Sequence, residues 1–359
     1  MPIASCEDSR ALSWTNNRHP GLLSFLLYGT FLLGLPILHA EEIRYGRKEP
    51  LPRPDKAIRL ASYNVLNLFD AKDDPALQGE FDDITMVTSQ NRCECLGQVI
   101  QQIDADILCL QEVESEEALR WFRDTYLADM GYEYLASRDV GYYRGIEQSV
   151  LSRFPISHAT TWANEDLTDM EELKTGEGWN EDGEPPTQFQ RSPLMVDIKI
   201  PGRANAQHYE ITVVVVHHKS GWHRRQRESE ALQLVELLQR RLAKEPNLNL
   251  LVVGDFNAGP FDKSLAVYQD AGFINAYNHR WKTTGNTRDY FRTHESDRVL
   301  DYMMIHPNAD AEIVDHSFQI VGTLFPGDSY DYRKDQPPSG YAADHYPLVI
   351  DMLPHDRAN

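Results

Sequence analysis

The residues best suited to chemistry in this chain sit at the ends of short apolar runs. Ile107–Leu110 leads into Glu112, Ile211–Val216 into His217, and Leu248–Val253 into Asp255 and Asn257, while Asp344 and His345 precede Tyr346–Ile350. A short aliphatic or β-branched run bounded by polar residues reads as a buried strand. Four such strands would carry carboxylates, an amide and imidazoles to one rigid rim. That set is what phosphoester hydrolysis uses: a carboxylate to hold a divalent cation, donors for phosphoryl oxygens, and a proton carrier.

Each group has an ordinary reading beside the chemical one. A single carboxylate at a strand end, such as Glu112, is common. In GDFN (Gly254–Asn257) the glycine permits close backbone approach, Asp255 can orient or deprotonate a water, and Asn257 can hold it. Taken alone, the same tetrapeptide is equally a turn. His217 and His218 point opposite ways in an extended chain, so only one can face the rim; Lys219 and Ser220 behind them are further phosphate donors or simply solvated. Asp344 and His345 also face apart, so His345 needs another acid, and Asp301 in VLDYMMI is the candidate. Glu147, in RGIEQSVLSR, is the matching candidate for His217. A carboxylate fixes the tautomer of an imidazole and raises its imidazolium population. Arg191, ahead of a strand in FQRSPLMV, is either a phosphate clamp or a surface arginine. Asn64 is either a partner for a metal-binding carboxylate or a strand-edge amide.

The elements that must position these residues are mixed in type. Strands are predicted over Ile58–Leu68, Ile107–Leu110, Ser149–Ser152, Leu194–Ile200, Ile211–Val216, Leu248–Gly254, Val299–Ile305 and Leu348–Met352. In the first, Ala61, Tyr63 and Val65 fall opposite Leu60 and Ser62. Helices are predicted over Cys93–Ile103, Glu116–Tyr126 and Glu228–Lys244, the last with Ala231, Leu234, Val235, Leu238 and Leu242 on its apolar face. Leu194–Ile200 and Ile211–Val216 read as hairpin partners around Pro201-Gly202. Helices interrupting some strands and hairpins joining others imply an α/β (α+β) fold of two packed mixed sheets flanked by helices. Asn164–Glu184 reads as an acidic solvated loop, its acids matching no EF-hand calcium spacing. Gly322–Tyr341 is a second long loop, placed to shape access to Asp344.

The chain has 359 residues, no internal repeat and a formal charge of −20 from 55 acids and 35 bases. That balance disfavours a general grip on nucleic acid or anionic lipid. It does not exclude a phosphate substrate, because screening over roughly 8 Å lets local site charge outrank distant acids. Residues 22–40 are apolar, follow Arg10 and Arg18, and end at Ala40 before Glu41 and Glu42. They read as a cleaved secretory signal, or else an uncleaved anchor, within a segment 1–40; a secreted or periplasmic protein is expected. Residues 41–57, with Pro50, Pro52 and Pro54, read as a linker, leaving 58–353 as one domain. Beyond Cys6 remain Cys93, Cys95 and Cys109. Either of the first two could pair with Cys109 after export, though the preferred reading of Cys109 is a core strand residue. No second pair or nearby histidine supports zinc.

Taken in order, SYNVLNLFD (Ser62–Asp70), LQEVE (Leu110–Glu114), RGIEQSVLSRFPI (Arg144–Ile156), FQRSPL (Phe189–Leu194), VVHHKS (Val215–Ser220), VVGDFNAGP (Val252–Pro260), LDYMMI (Leu300–Ile305) and ADHYPL (Ala343–Leu348) resemble the endonuclease/exonuclease/phosphatase superfamily, over about residues 58–353. The superfamily includes deoxyribonuclease I-like enzymes, abasic-site endonucleases, sphingomyelinases and inositol-polyphosphate phosphatases. The resemblance implies a four-layer α/β sandwich and phosphoester hydrolysis with a divalent metal, usually Mg2+, with Mn2+ or Ca2+ as alternatives. It makes Glu112 the main metal ligand with Asn64 as partner and Asp344 as a second metal-linked acid. Asp255 and Asn257 would position and activate water. His217 would contact phosphoryl oxygens, held by Glu147; His345 would act as acid or base, held by Asp301; Arg191 would clamp phosphate. Two positions depart from the family. Leu66 stands where abasic-site enzymes often carry an acid, which speaks against DNA repair, and His218 stands where the family usually has an aliphatic or aromatic residue.

The leading expectation is an exported, metal-dependent nuclease, acting as a monomer with no stable membrane partner once the N-terminal segment is cleaved. The second is a phosphatase or sphingomyelinase-like phosphodiesterase acting on an inositol phosphate or lipid headgroup, which suits the acidic surface better although no aromatic-rich docking hairpin is evident. The third is an inactive binding protein on the same fold, disfavoured because every catalytic-type position is filled.

Overall fold

A computed structural model describes residues 43–167, 188–201, 208–279 and 291–354, all within one compact unit, Glu41–Asn359. Residues 22–40, most of the acidic insertion 164–184 and the turn at Gly202 lie outside the described residues. Among the described residues, no helix is long and apolar enough to cross a membrane.

The described residues form twelve strands in two six-stranded sheets. The first is built from β1 (Ile58–Leu68), β2 (Ile107–Val113), β3 (Tyr134–Ser137), β4 (Glu147–Ser152), β11 (Gln319–Ile320) and β12 (Leu348–Met352), in the order β11-β12-β1-β2-β4-β3. The second holds β5 (Ile156–Thr161), β6 (Leu194–Ile200), β7 (Tyr209–His217), β8 (Leu250–Asp255), β9 (Ile274–Asn275) and β10 (Asp301–Ile305), in the order β5-β6-β7-β8-β10-β9. Each sheet has one parallel pair at its centre, β1 with β2 and β7 with β8, flanked by antiparallel neighbours. A parallel pair needs a crossover. Helix α1 (Gln90–Ile103) supplies it in the first sheet and α3 (Arg224–Lys244) in the second.

The strand faces follow the alternation in the sequence. Leu60, Ile107, Val150, Val213, Val215, Leu251, Val253, Met303 and Leu348 share the core between the sheets. Ala61, Tyr63 and Val65 turn the other way, onto Leu96, Ile100 and Ile103 of α1 and Leu119 and Phe122 of α2 (Glu116–Tyr126). Val214, Val216 and Val252 meet Ala231, Leu234, Val235 and Leu238 of α3, with Leu265 and Tyr268 of α4 (Lys263–Asp270). The result is helix, sheet, sheet, helix: the expected four-layer sandwich. Cys93, Cys95 and Cys109 are all buried, and no disulfide joins them to one another.

The segment read as a linker packs along the body from residue 43 onward. Ile43 bridges Leu324, and Arg47 bridges Val321. Tyr45 is buried against Tyr346, with ring centroids 6.0 Å apart. Arg53 pairs with Asp104 and Asp106. At Gly46, φ is +79° and an added Cβ would lie 2.7 Å from Gly322 N, so this approach requires glycine. The prolines in this stretch shape a strap whose side chains find partners, which sequence composition alone does not reveal.

Candidate active site

The carboxyl ends of the two parallel pairs lie at the same edge of the sandwich, where open α/β sheets place their ligand sites. β1 delivers Asn64, β2 Glu112, β7 His217 and β8 Asp255. Backbone irregularities aim them. Register slips occur in β1 between Asn64 and Leu68, and in β2 between Gln111 and Val113. Leu66, Asn67 and Glu112 have φ of 53°, 52° and 66°. A left-handed glutamate is uncommon, and its cost is accepted here because the bulge turns the carboxylate into the site. Asn257 sits at φ 49°, a conformation asparagine tolerates better than most residues.

Four groups meet around Asp255. Asn64 Nδ2 donates to Asp255 Oδ2 at 3.2 Å and to Glu112 Oε1 at 3.4 Å. The Asn67 N–H anchors Glu112 Oε2 at 3.0 Å. Asn257 donates to Asp255 twice, from its backbone N–H at 2.8 Å and its side chain at 3.1 Å. His217 Nε2 lies 3.6 Å from both Glu112 Oε1 and Asp255 Oδ2, and His345 Nε2 lies 3.7 Å from Asp255 Oδ2. Burial raises the Asp255 carboxyl to about 7, with Asp301 and Glu112 adding to it against His345.

The two imidazoles have opposite electrostatics. His345 Nδ1 is bonded to Asp301 Oδ2 at 2.9 Å, as expected from sequence. Burial works against its charged form, but Asp301 and Asp255 outweigh that and hold it protonated. His217 is not paired with Glu147. Glu147 is buried on β4, accepts a hydrogen bond from Val140 N–H, and is lifted to about 8 by burial. The partner of His217 is Arg191, whose Nη1 lies 2.5 Å from Nε2. An arginine can only donate, so that ring nitrogen accepts and the proton sits on Nδ1. Burial first, then Arg191, pushes the His217 pKa well below its usual range. The carboxylates at 3.6 Å therefore face a neutral ring, not an ion pair. The expectation that Glu147 holds His217 is not met: strand register carries Glu147 opposite Val113 and leaves the imidazole to a guanidinium.

His218 points away from the rim. Its Nδ1 meets Glu230 Oε2 at 3.1 Å and its Nε2 meets the Tyr268 hydroxyl at 2.9 Å. Its carbonyl nonetheless accepts from Asn257 Nδ2 at 3.0 Å. Asp344 pairs with His294 Nε2 at 3.3 Å, and the His294 and His345 rings meet edge to face at 4.5 Å. Burial would raise the Asp344 carboxyl, but His294 and His345 reverse it and hold it at about 2.

Among the described residues, two groups of side chains could hold a cation: His294 with Asp344 and His345, and Asp255 with Asp301 and His345. The donor set fits a divalent ion, since Asp344 Oδ1 is buried without a hydrogen-bond partner among the described residues while its carboxylate stays ionised. Glu112, also expected as a ligand, stands apart from both groups, with Asn64 and His217.

Sequence reasoning missed His294, Asn67, Arg144 and Arg92. Arg92 is buried, and its guanidinium binds the carbonyls of Val65, Asn67 and Ala342 at 2.7, 2.7 and 3.1 Å. It ties the end of β1 to the loop carrying Asp344. The signal was an arginine in the first turn of α1, three residues after the Ser89 cap, where the helix dipole disfavours a cation. Also missed were Trp222 and Phe261, 77% and 100% exposed on the loops that follow β7 and β8.

Residues 61–318 match the Endonuclease/Exonuclease/phosphatase family, and the chain belongs to it. It is thus a member of a group of phosphoester hydrolases. The human Nocturnin catalytic domain is similar in structure, with a TM-score of 0.50, 18% identity, and coverage of 84% of this chain and 95% of that one. An endonuclease/exonuclease/phosphatase from Bacteroides vulgatus has a TM-score of 0.51 and 17% identity, covering 82% and 98%. Sphingomyelinase C from Streptomyces griseocarneus has a TM-score of 0.50 and 15% identity, covering 82% and 99%. At these identities the likeness is one of fold. No curated protein sequence matches the chain.

Proposed function

We propose that this protein is an exported, divalent-metal-dependent phosphodiesterase, a nuclease that hydrolyses DNA or RNA with an activated water. The observation that carries the reading is the meeting of Asn64, Glu112, Asp255, Asn257 and two imidazoles of opposite protonation at one edge of the sheets. A bound Mg2+, held by Glu112 beside Asn64, would supply charge neutralisation at the phosphoryl group, with Asp344 a ligand in the neighbouring group of His294 and His345. The chain's own residues account for the rest. Asn257 locks the rotamer of Asp255, whose affinity for a proton near neutrality suits it to orient the water and take its proton. His345, kept cationic by Asp301, faces Asp255 and can protonate a departing oxygen. Arg191 supplies donors for phosphoryl oxygens, and neutral His217, whose Nε2 accepts from it, holds the guanidinium in place. We further propose that the protein acts outside the cytoplasm as a monomer.

Trp222 and Phe261 favour a second reading, in which the substrate is met at a lipid surface. The test is a panel with magnesium: plasmid DNA, RNA, bis-p-nitrophenyl phosphate, sphingomyelin and inositol phosphates, with Glu112→Gln as the control. Cleavage of nucleic acid that Glu112→Gln abolishes, with the fold retained, supports the nuclease. Release from lipid or inositol phosphates alone supports the second reading. Silence on all substrates in folded, metal-loaded protein would leave an inactive binding protein.

A further inference from the structure

Beside the metal-binding edge lies a cavity of about 690 Å³ whose lining combines aromatic rings and cations. Phe81, Tyr143 and Arg144 contribute from the first half of the chain, and Tyr332, Arg333 and Lys334 from the 322–341 loop. The cavity adjoins the site directly. Asn67 lines it, anchors Glu112 through its N–H at 3.0 Å, and receives Arg144 Nη2 on its side-chain oxygen at 3.2 Å. A group held here would be covalently next to a phosphoryl group at Glu112.

Three observations define the chemistry of that group. Phe81 and Tyr143 stand edge to face with centroids 5.2 Å apart, Arg333 lies over the Tyr332 ring at 5.4 Å and Arg144 over Phe81 at 5.9 Å, and Tyr143 and Tyr332 are 54% and 38% exposed, so partly open rings alternate with guanidinium groups. Arg144 Nε is buried and meets no acceptor among the described residues. Lys334 is shared with Asp331, and Asp335 also lines the cavity, yet the cations there outnumber the acids. Stacking faces interleaved with cations are the means by which proteins hold unpaired nucleotides. A chain of charge −20 gains little from a long polyanion laid over its surface, which favours local capture of one or two nucleotides.

We propose that this cavity is a nucleotide subsite, taking a base and adjacent phosphate of a single-stranded or terminal segment next to the scissile bond. This rests on the phosphodiesterase reading above. The test compares a thymidylate tetramer with a tetramer of the same backbone lacking bases, using the full chain with magnesium. Wild type is expected to prefer the base-bearing tetramer about tenfold or more in kcat/KM. Tyr143→Ala and Tyr332→Ala, both at exposed rings, should collapse that preference while turnover of the base-free tetramer stays at the wild-type rate. Variants that retain the preference, or lose both activities in parallel, would overturn the subsite. If wild type cleaves neither tetramer, the catalytic reading fails, and calorimetry with thymidine 5′-monophosphate in EDTA tests the subsite separately. Binding weakened about fivefold or more by either variant supports it; no binding, or equal binding, refutes it.

Discussion

His217 and His218 are adjacent in sequence and buried alike, yet their neighbours give them different work. His217 faces Arg191 and two carboxylates at the rim, whereas His218 satisfies Glu230 and Tyr268 behind it. His217→Ala should therefore lower kcat/KM by about 10²-fold or more, the scale of a misplaced transition-state donor, since Arg191 loses its acceptor, with a smaller loss of stability. His218→Ala removes the imidazole from the buried Glu230, which keeps the Lys219 N–H and Gln226 Nε2, and should cost about 1–3 kcal/mol on urea unfolding. Equal effects of the two substitutions on both readouts would refute this division. Glu147 offers a pH test. Its folded pKa of about 8 lies above the ordinary glutamate value of 4.5, so the folded state holds a proton that the unfolded chain releases. Its contribution to stability is complete below about pH 4.5 and is lost as pH rises toward 8. Glu147→Gln should match wild type near pH 4.5 and exceed it on the order of 2 kcal/mol at pH 8.5; a constant difference across that range would sink the assignment.

At the scale of elements, the site depends on strand ends that leave regular geometry. Gly254 shows why GDFN begins with glycine: φ is +140°, and a Cβ would lie 2.0 Å from the carbonyl oxygen of Val216. Any side chain there would push β8 away from β7 just before Asp255. Gly254→Ala should destabilise by about 2–4 kcal/mol and lower activity as well, read by thermal unfolding and turnover; an unchanged melting temperature would contradict the close approach. The long apolar strands and amphipathic helices were legible in sequence because burial on one or both faces writes a period into the residues. β1 and β12 keep the predicted bounds, and α2 does too. β3, β5, β9, β11 and α4 were not legible. Tyr134–Ser137, Ile274–Asn275 and Gln319–Ile320 are too short to show a period, and Ile156–Thr161 is an edge strand rich in polar residues.

Across the whole molecule, the strap from residue 43 onward links parts of the domain far apart in sequence. Arg53 reaches the loop before β2, and Arg59 at the start of β1 makes a two-pronged, buried contact with Asp351 on β12 at 2.7 and 2.9 Å. The contribution of the strap is read by comparing a chain that begins at residue 41 with a shorter one. One beginning at residue 58 loses Tyr45 and Arg53 and should unfold earlier by several kcal/mol, since buried partners are left bare. Coincident transitions for the two would show that the strap contributes nothing. The acidic balance of the whole surface acts differently: it leaves the fold alone and makes any grip on a polyanion depend on local clusters such as Arg144, Arg333 and Lys334.

The amino-acid order by itself determined the family, the paired sheets, and the identity of the acids, amides and imidazoles at the strand ends, because apolar periodicity and strand-end position are local properties. The tertiary structure alone decided which group holds which. Asp301 takes His345 as its order in the chain implied, but Arg191 instead of Glu147 takes His217, and His294, unremarked in sequence, takes Asp344. These pairings depend on bulges that shift register at Asn64 and Gln111 and on the strand order of two sheets. A one-residue slip reverses every side chain beyond it, so partner choice is a property of the assembled sheets and cannot be read from any one strand.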